Sequence, residues 1–292
     1  MPSSRIFILT VLAMIAFAGN SLLCRAALKS TAIDAASFTT IRLVSGALIL
    51  FFLVRARRVK SANNGNWLSG FALFIYAAGF SFAYMHLSVA TGALLLFGAV
   101  QASMIGYGIW SGERLQALQI VGLLLAMGGL VMLLLPGLST PPLSSSLLMV
   151  TAGVAWGAYS LRGRGAGDPT AITSGNFLRA IPFAIILSIA MPDNKSLDLI
   201  GFIYAVFSGA LTSGIGYAIW YAALPALKAT TAATVQLSVP VISALGGILL
   251  LNESVSLRIV LASMAILGGI ALVILVKKQN SSGTSGKGQE DL

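Results

Sequence analysis

The hydrophobic positions of this chain form ten long apolar runs, which short polar segments separate. A membrane-spanning α-helix needs about 20 consecutive apolar residues, and each run comes close to that length. The pattern therefore predicts ten spanning helices, at residues 6–27, 35–54, 67–87, 90–110, 115–135, 144–162, 171–190, 199–221, 230–250 and 257–276. Because the connections are short, neighbouring helices are expected to be antiparallel and packed side by side.

An acidic turn and the apolar run that follows it occur twice in the chain. The sequence ERLQALQIVGLLLAMGGLVMLLL starts at Glu113, and ESVSLRIVLASMAILGGIALVIL starts 140 residues later, at Glu253. The repeat predicts two related halves of five helices, at 1–138 and 139–278, followed by a disordered cytoplasmic tail at 279–292. Since five is an odd number, the second half would enter the membrane with the opposite polarity. Such inverted repeats are typical of secondary transporters.

Composition restricts the chain to one broad class of protein. Hydrophobic residues are 57% of the chain and charged residues only 9%, whereas soluble domains carry about 25% charged residues. So few charges cannot cover a surface in water, and we predict a multi-pass protein of the lipid bilayer. The single cysteine, Cys24, excludes a disulfide framework, and with the single histidine, His86, it leaves little for metal binding or acid–base catalysis. We therefore expect no enzyme, no metal and no cofactor.

The positive charge of the chain predicts its orientation in the membrane. The net charge is +10, but the Lys and Arg residues cluster between apolar runs, as they do where membrane proteins face the cytoplasm. We therefore expect no nucleic-acid partner. With a cytoplasmic N-terminus, twelve Lys and Arg residues lie inside and four outside. This distribution predicts that both termini are cytoplasmic, and the short loops favour a bacterial inner membrane.

The second half of the chain carries four distinctive motifs: GYAIWYAAL, the VPVISALGG segment around Pro240, the LNE that ends at Glu253, and the Gly-Gly helix that follows. Through these motifs the stretch from Ser208 to Ile274 resembles the second EamA repeat of the drug/metabolite transporter superfamily. The first half, at 11–135, resembles the same repeat more loosely. The resemblance implies an all-α membrane protein of ten transmembrane helices in two inverted five-helix EamA repeats. It also implies a central cavity lined mainly by helices 1, 3, 4, 6, 8 and 9.

The resemblance further implies export of small metabolites, commonly amino acids, by alternating access. Among the members of the superfamily, the YddG-type aromatic amino acid exporters are the first expectation. Carriers of sugars, nucleosides or other metabolites of the superfamily are the alternative, and a channel would differ from both by conducting ions without saturable uptake. Because ten helices can hold a complete cavity, we expect a monomer.

The source of energy is constrained by what the spans lack. No acidic residue lies in the middle of a predicted span, whereas proton- and sodium-coupled carriers usually place a carboxylate within the membrane. The chain also has no GxxxxGKS or GxxxxGKT loop for nucleotide binding. We therefore expect transport down a substrate gradient, with indirect proton coupling or none.

Polar and aromatic residues within the cavity-lining helices are the candidate substrate contacts. An amide that faced lipid would leave its donors unpaired at a cost of about a few kcal/mol. Rings at four-residue spacing share one helix face, and a cavity of rings and amides suits an amphipathic zwitterion such as an amino acid. The candidate substrate-binding residues are Asn20, Tyr76, Phe80, Gln101, Trp156, Tyr159, Tyr217, Trp220 and Gln236. The alternative is that these residues have structural roles: rings near the span ends would form an interfacial belt, and Gln236 would hydrogen-bond helix 9 to a neighbouring helix.

Two arginines and one proline also lie within predicted spans. A charge inside the membrane is a functional hypothesis by default, and we expect a gating or structural role for Arg42 and Arg179. Snorkelling to the surface and binding of a substrate carboxylate are the alternatives. Pro240 removes a backbone hydrogen bond, so a kink or a hinge is expected in helix 9. Glu113 and Glu253 lie in turns, where helix capping or a salt bridge is expected.

Overall fold

The computed structural model describes residues 3–57, 65–110, 112, 116–134, 140–163, 168–191, 196–223, 226, 235–236, 238–254 and 256–283. Within these ranges the chain is all-α and forms ten long helices. They are α1 (Ser3–Ser30), α2 (Ala35–Ala56), α3 (Trp67–Tyr84), α4 (Val89–Trp110), α5 (Ala117–Leu134), α6 (Leu143–Arg162), α7 (Pro169–Ala190), α8 (Leu199–Ala223), α9 (Ser238–Leu251) and α10 (Leu257–Gly283).

Each predicted span overlaps one of these helices. Their ends differ by a few residues, except that α10 ends at Gly283 instead of residue 276, and the predicted start of the ninth span, at 230–234, lies outside the described residues. In the part of the chain that the structure describes, six helices are long and apolar enough to cross a membrane: α1 to α4, α7 and α8. Shorter apolar stretches of 10–17 residues lie in α5, α9 and α10. The helical architecture and its apolar helices agree with a multi-pass membrane protein.

Helix α10 includes the first five residues of the predicted disordered tail at 279–292, and the tail itself stays a prediction. Helix α10 continues to Gly283, while residues 284–292 lie outside the described residues. The Lys-Lys-Gln sequence at 277–279 consists of good helix formers and favours continuation of the helix past the apolar run. The loss of hydrophobicity after residue 276 marks the end of the apolar run, which is a different boundary from the end of the helix.

Helix α8 changes its backbone hydrogen-bonding pattern part-way along. It begins as an α-helix (Leu199–Phe207), continues as a π-helix (Ser208–Ile215) and ends as an α-helix (Gly216–Ala223). π-helical turns are rare and frequently occur at functional sites. The hydrophobic pattern predicts a single span at 199–221 and carries no sign of this change.

Helices α2, α3 and α7 each begin at a polar side chain that accepts a hydrogen bond from their first turn. The Oδ1 atom of Asp34 accepts from the backbone N of Ser37 (2.9 Å) at the start of α2. Asn66 caps α3 and Asp168 caps α7 in the same way, each at 2.8 Å. Such caps satisfy backbone N–H groups that have no partner within the helix, and they account for sharp helix starts.

Helices of the first half pack mainly on helices of the second half. Helix α2 packs against α7 and α8, α3 against α6 and α7, α4 against α6, and α1 against α8 and α9. Helices α5 and α10 pack on each other and otherwise contact mainly α4, so they lie at the periphery of the bundle. Small residues permit these close approaches: a Cβ atom at Gly153 would lie 2.6 Å from the backbone O of Leu96. The core of the bundle therefore lies between α1, α2, α3, α4, α6 and α8.

Candidate functional site

A single guanidinium group lies buried at the centre of the bundle. Arg42, on α2, is only 1% exposed. Its Nε donates to the Oγ of Ser213 (3.1 Å), and its Nη2 donates to the hydroxyls of Tyr76 (3.2 Å) and Tyr217 (3.4 Å). Its Cζ atom lies 4.9 Å from the ring centroid of Phe80 and 5.2 Å from that of Tyr76, within the range of cation–π attraction. Among the described residues, Nη1 has no hydrogen-bond partner.

An amide on α1 extends this polar network. The Nδ2 atom of Asn20 donates to the hydroxyl of Tyr76 (3.2 Å), and its Oδ1 accepts from the Oγ of Ser208 (2.7 Å). The hydroxyls of Thr212 (3.3 Å) and Ser213 (3.5 Å) lie close to the same oxygen. The π-helical segment of α8 therefore presents three hydroxyls to α1 and α2. All of these side chains are buried, so the hydrogen bonds of Asn20 are made within the protein.

A cluster of aromatic rings adjoins the polar network. The ring of Trp156, on α6, lies 4.7 Å from that of Tyr217 and 4.8 Å from that of Tyr76, measured between centroids. Tyr159 (5.5 Å) and Phe17 (6.1 Å) complete the surroundings of Trp156. Ring pairs at these separations attract one another. Polar groups that can bind a charged ligand thus lie directly beside a large apolar surface formed by aromatic rings.

The space between these groups is almost closed. A cavity of about 10 Å³ lies between α1, α3, α4 and α6, which is roughly the space that one water molecule requires. Its lining comprises Phe17, Asn20, Ser21, Tyr76, Phe80, Leu96, Phe97 and Trp156. A metabolite can therefore enter only if the helices that form the walls separate.

The structure brings together most of the predicted substrate-binding residues. Asn20, Tyr76, Phe80, Trp156, Tyr159, Tyr217 and Trp220 join one network of hydrogen bonds and ring contacts. Gln101 and Gln236 are buried as well, at 2% and 6% exposure, but they do not line the cavity. Their role as substrate contacts stays a prediction.

Four members of the network were not predicted from the sequence. Phe17 is an ordinary apolar residue of the first span, and nothing in its local pattern marks it. Ser208, Thr212 and Ser213 interrupt the apolar run of α8 with hydroxyls at a spacing of four and five residues. That spacing was a usable signal, since it suits the π-helical turn that aligns them.

The two arginines inside spans have different surroundings. Arg42 enters the central network, whereas Arg179 is half-buried and its Nη1 donates to the backbone O of Gly175, four residues earlier on its own helix (2.9 Å). Pro240 is the third described residue of α9 and is buried. Residues 227–234 and 237 lie outside the described residues, so the kink or hinge at Pro240 stays a prediction.

A salt bridge ties three segments together at one end of the bundle. We call this the α1–α2 end, since it holds the α1–α2, α3–α4, α7–α8 and α9–α10 turns. The Nε of Arg25 lies 3.0 Å from the Oε1 of Glu253, and Glu253 Oε2 accepts from the backbone N of Val89 (2.7 Å), in the first turn of α4. Arg25 Nη1 also donates to the backbone O atoms of Tyr84 (2.8 Å) and Met85 (2.9 Å).

The predicted turn salt bridge is thus confirmed for Glu253, which also caps α4. Its counterpart Glu113 lies outside the described residues.

Comparison with known proteins identifies the family. The family model of the EamA-like transporter family matches residues 143–275. An uncharacterized protein of Pseudomonas aeruginosa, PA1977, is 57% identical over 275 residues, which are 94% of this chain and 96% of that protein. This chain belongs to the EamA-like transporter family. The threonine/homoserine exporter RhtA of Salmonella typhimurium is 27% identical over 247 residues, or 80% of each chain.

One solved crystal structure has the same fold as this EamA-like transporter. The two superpose with a TM-score of 0.68 at 20% sequence identity, covering 94% of this chain and 98% of the other. Family membership makes the protein a membrane transporter. The buried network of rings, amide, hydroxyls and guanidinium is the place in this transporter where a small polar metabolite could be bound.

Proposed function

We propose that the protein exports small metabolites, most of all amino acids including aromatic ones, across the cell inner membrane by alternating access. The observation that carries this proposal is the buried network, which combines a cation, an amide and several hydroxyls with a wall of aromatic rings. An amino acid has the matching parts, since its backbone is charged and its side chain is apolar or amphipathic. The name of the relative RhtA, a threonine/homoserine exporter, supports the same substrate class.

The packing of the helices supports two inverted five-helix repeats at 1–138 and 139–278. If each helix corresponds to the one five places later, a two-fold relation requires contacts to occur in matched sets. The α1–α9 contact has its match in α4–α6, α1–α8 in α3–α6, and α2–α8 in α3–α7. The α2–α7 and α5–α10 contacts are their own matches. In this arrangement both halves contribute to the central network, and rocking one half against the other exposes it to each side in turn.

The orientation of the proposed exporter follows from its charges. Both termini are assigned to the cytoplasm by the excess of Lys and Arg in the segments on that side. The α1–α2 end, with the Arg25–Glu253 salt bridge, then faces outwards. In this orientation, we infer that the Arg25–Glu253 salt bridge holds the outward end of α1 against the α3–α4 and α9–α10 turns. A single chain, acting as a monomer, encloses the whole site.

Transport is expected to need no ion gradient. Within the ten helices as the structure describes them, no Asp or Glu side chain lies between the first and last residue. The three acidic residues next to helices α2, α7 and α8 precede their first turns, where they do not face the centre of the membrane. Without a carboxylate in the membrane, the chain lacks the usual proton or sodium relay.

Counterflow in proteoliposomes tests the proposed function. Vesicles that contain the purified protein and a high internal concentration of an amino acid should take up the labelled amino acid from outside, with saturable kinetics. Labelled threonine, homoserine and phenylalanine are the first substrates, and excess unlabelled amino acids, sugars and nucleosides are the competitors. Competition by amino acids alone is expected, both with and without an imposed pH gradient.

Three outcomes of this experiment contradict parts of the proposal. Competition by sugars or nucleosides, with none by amino acids, would move the protein to the alternative substrate class. Uptake that occurs only with a pH gradient would contradict gradient-independent exchange. Ion conductance without saturable uptake would indicate a channel.

Replacing Trp156 with alanine should reduce transport of aromatic amino acids at least tenfold. The change removes the ring that contacts Tyr76 and Tyr217 at the site, and loss of a buried tryptophan costs about 3–5 kcal/mol of folding stability. Trp156→Phe keeps a ring and should keep most of the activity. Trp110→Ala is the matched control, because Trp110 is 86% exposed. Equal losses of transport in the two alanine variants would mean that Trp156 does not contribute to substrate binding.

A further inference from the structure

Among the residues that the structure describes, the charge of Arg42 has no partner of opposite sign. All of its side-chain hydrogen bonds go to hydroxyl groups, those of Ser213, Tyr76 and Tyr217. Within the described residues, the one salt bridge of the protein is Arg25–Glu253, at the α1–α2 end. The guanidinium thus carries a full positive charge in the interior and is stabilised only by neutral dipoles and ring faces.

Such an arrangement is costly for the protein on its own. Removal of an ion from water is compensated in proteins by an opposite charge and by a complete set of hydrogen bonds. Arg42 has neither, since Nη1 lacks any partner among the described residues. The contacts with Phe80 and Tyr76 supply a cation–π attraction, which offsets only part of the desolvation. An anion bound at Nη1 would supply both the opposite charge and the further hydrogen bond.

Two side chains that contact Arg42 also line the cavity in which a substrate would bind. Tyr76 and Phe80, whose rings hold the guanidinium, also line the closed cavity, together with Asn20. Movement of α3 away from α1 and α6 would therefore enlarge the cavity and uncover Arg42 in one step. The hydroxyls of Tyr76 and Tyr217 accept from Nη2 at 3.2 and 3.4 Å. Charge-assisted bonds to a carboxylate are shorter, at about 2.7–2.9 Å, so a carboxylate can replace these hydroxyls favourably.

We propose that Arg42 binds the carboxylate of the transported amino acid, with the Nη1 and Nη2 atoms as its two donors. This inference rests on the proposed function. The sequence favoured a gating or structural role for Arg42, with binding of a substrate carboxylate as an alternative, and the inference selects that alternative. The planar guanidinium offers two parallel N–H groups, which match the two oxygens of a carboxylate. The rings of Tyr76 and Trp156 then adjoin the amino acid side chain. Until the substrate binds, the hydroxyls of Tyr76 and Tyr217 occupy the position of the carboxylate beside Nη2.

A purely structural role for Arg42 predicts a different result. In that case the arginine would only join α2, α3 and α8, and its removal would weaken folding without changing the choice between ligands. The two roles are separated by measuring a preference rather than a rate. That preference is the ratio of competition by an amino acid to competition by its amide, which has the same side chain and amino group and carries a neutral carboxamide in place of the carboxylate.

The experiment uses the full chain in proteoliposomes and the amino acid that the wild-type protein carries best. The wild-type protein should be inhibited about 10- to 100-fold more strongly by the unlabelled amino acid than by its amide, as expected for a charged hydrogen bond. Arg42→Gln should lose at least tenfold in transport and lose this preference. Arg42→Lys should keep the preference with weaker binding, since it keeps the charge. Arg55→Gln, an exposed change on the same helix, should behave as the wild type.

Contrary outcomes distinguish this inference from the proposed function. If the wild-type protein transports amino acids but is inhibited equally by the amide, the role of Arg42 is wrong and the proposed function stands. If Arg42→Gln retains the wild-type preference, the arginine is structural. If Arg42→Gln does not fold, the wild-type ratio and the Arg42→Lys variant still decide. A wild-type protein that transports no amino acid would overturn both proposals.

Discussion

Gly209→Ala is expected to lower the folding stability by about 2–3 kcal/mol, although it adds one methyl group to a helix. Gly209 lies in the π-helical segment of α8, where it packs directly on the backbone of α2. A Cβ atom there would lie 2.7 Å from the backbone C of Arg42 and would also collide with Ser45. Because the obstacle is backbone, the two helices must move apart, and the polar network that joins them must loosen. Thermal unfolding in detergent measures the loss.

The matched control for this prediction is Gly128→Ala. Gly128 lies on α5, and among the described residues no atom of a neighbouring helix lies within 4 Å of the position that its Cβ would take. The substitution should be neutral or stabilising by up to about 1 kcal/mol, since alanine has the higher helix propensity. Equal unfolding temperatures for the two variants would contradict the close approach of α8 and α2. Transport should follow the same order, because α8 carries Ser213 and Tyr217.

Arg25→Gln is expected to cost about 3 kcal/mol of folding stability, within the range for breaking a buried ion pair. The change removes the salt bridge to Glu253 and the bonds to two carbonyl groups in the α3–α4 turn. The side chains of Arg25 and Glu253 are only 12% and 7% exposed, so water compensates the lost partners poorly. Unfolding midpoints in detergent, at low and high salt, measure the effect.

A double-mutant cycle tests whether the cost belongs to the pair. Arg25→Gln combined with Glu253→Gln should be more stable than the sum of the single losses predicts, because neither partner is left charged. Lys29→Gln is the control, since Lys29 lies exposed on the last turn of the same helix. Additive losses in the cycle would mean that Arg25 and Glu253 act independently. In the proposed mechanism, the weakened α1–α2 end should also shift the protein towards its outward-open state.

The candidate site was only partly predictable from the sequence. Asn20, Tyr76, Trp156 and Tyr217 could be selected, because a polar or aromatic residue inside an apolar run must find a partner within the protein. Which residues these side chains contact could not be predicted from the sequence. Arg42 donates to a serine 171 positions later in the chain, and no local pattern records a contact over that distance.

The comparison of the two arginines makes the same point. Their places inside predicted spans predicted similar roles for Arg42 and Arg179, but only Arg42 of the two lies in the central network. Arg179 returns to a carbonyl on its own helix. A repeat preserves the order of the helices, while the side chains that fill the interface differ between the halves, and these decide what each arginine contacts.

By itself, the sequence determined the class of the protein, the approximate positions of ten helices and the acidic turn at Glu253. Each of these depends on a property that acts along the chain: the length of an apolar run, the capping of a helix end, or the repetition of a segment. Only the tertiary structure decided that α8 contains a π-helical turn, that Phe17 borders the cavity and that Arg42 lies among tyrosines. These features arise from packing between helices of different halves, where the shape and hydrogen-bonding capacity of both surfaces together set the minimum of free energy.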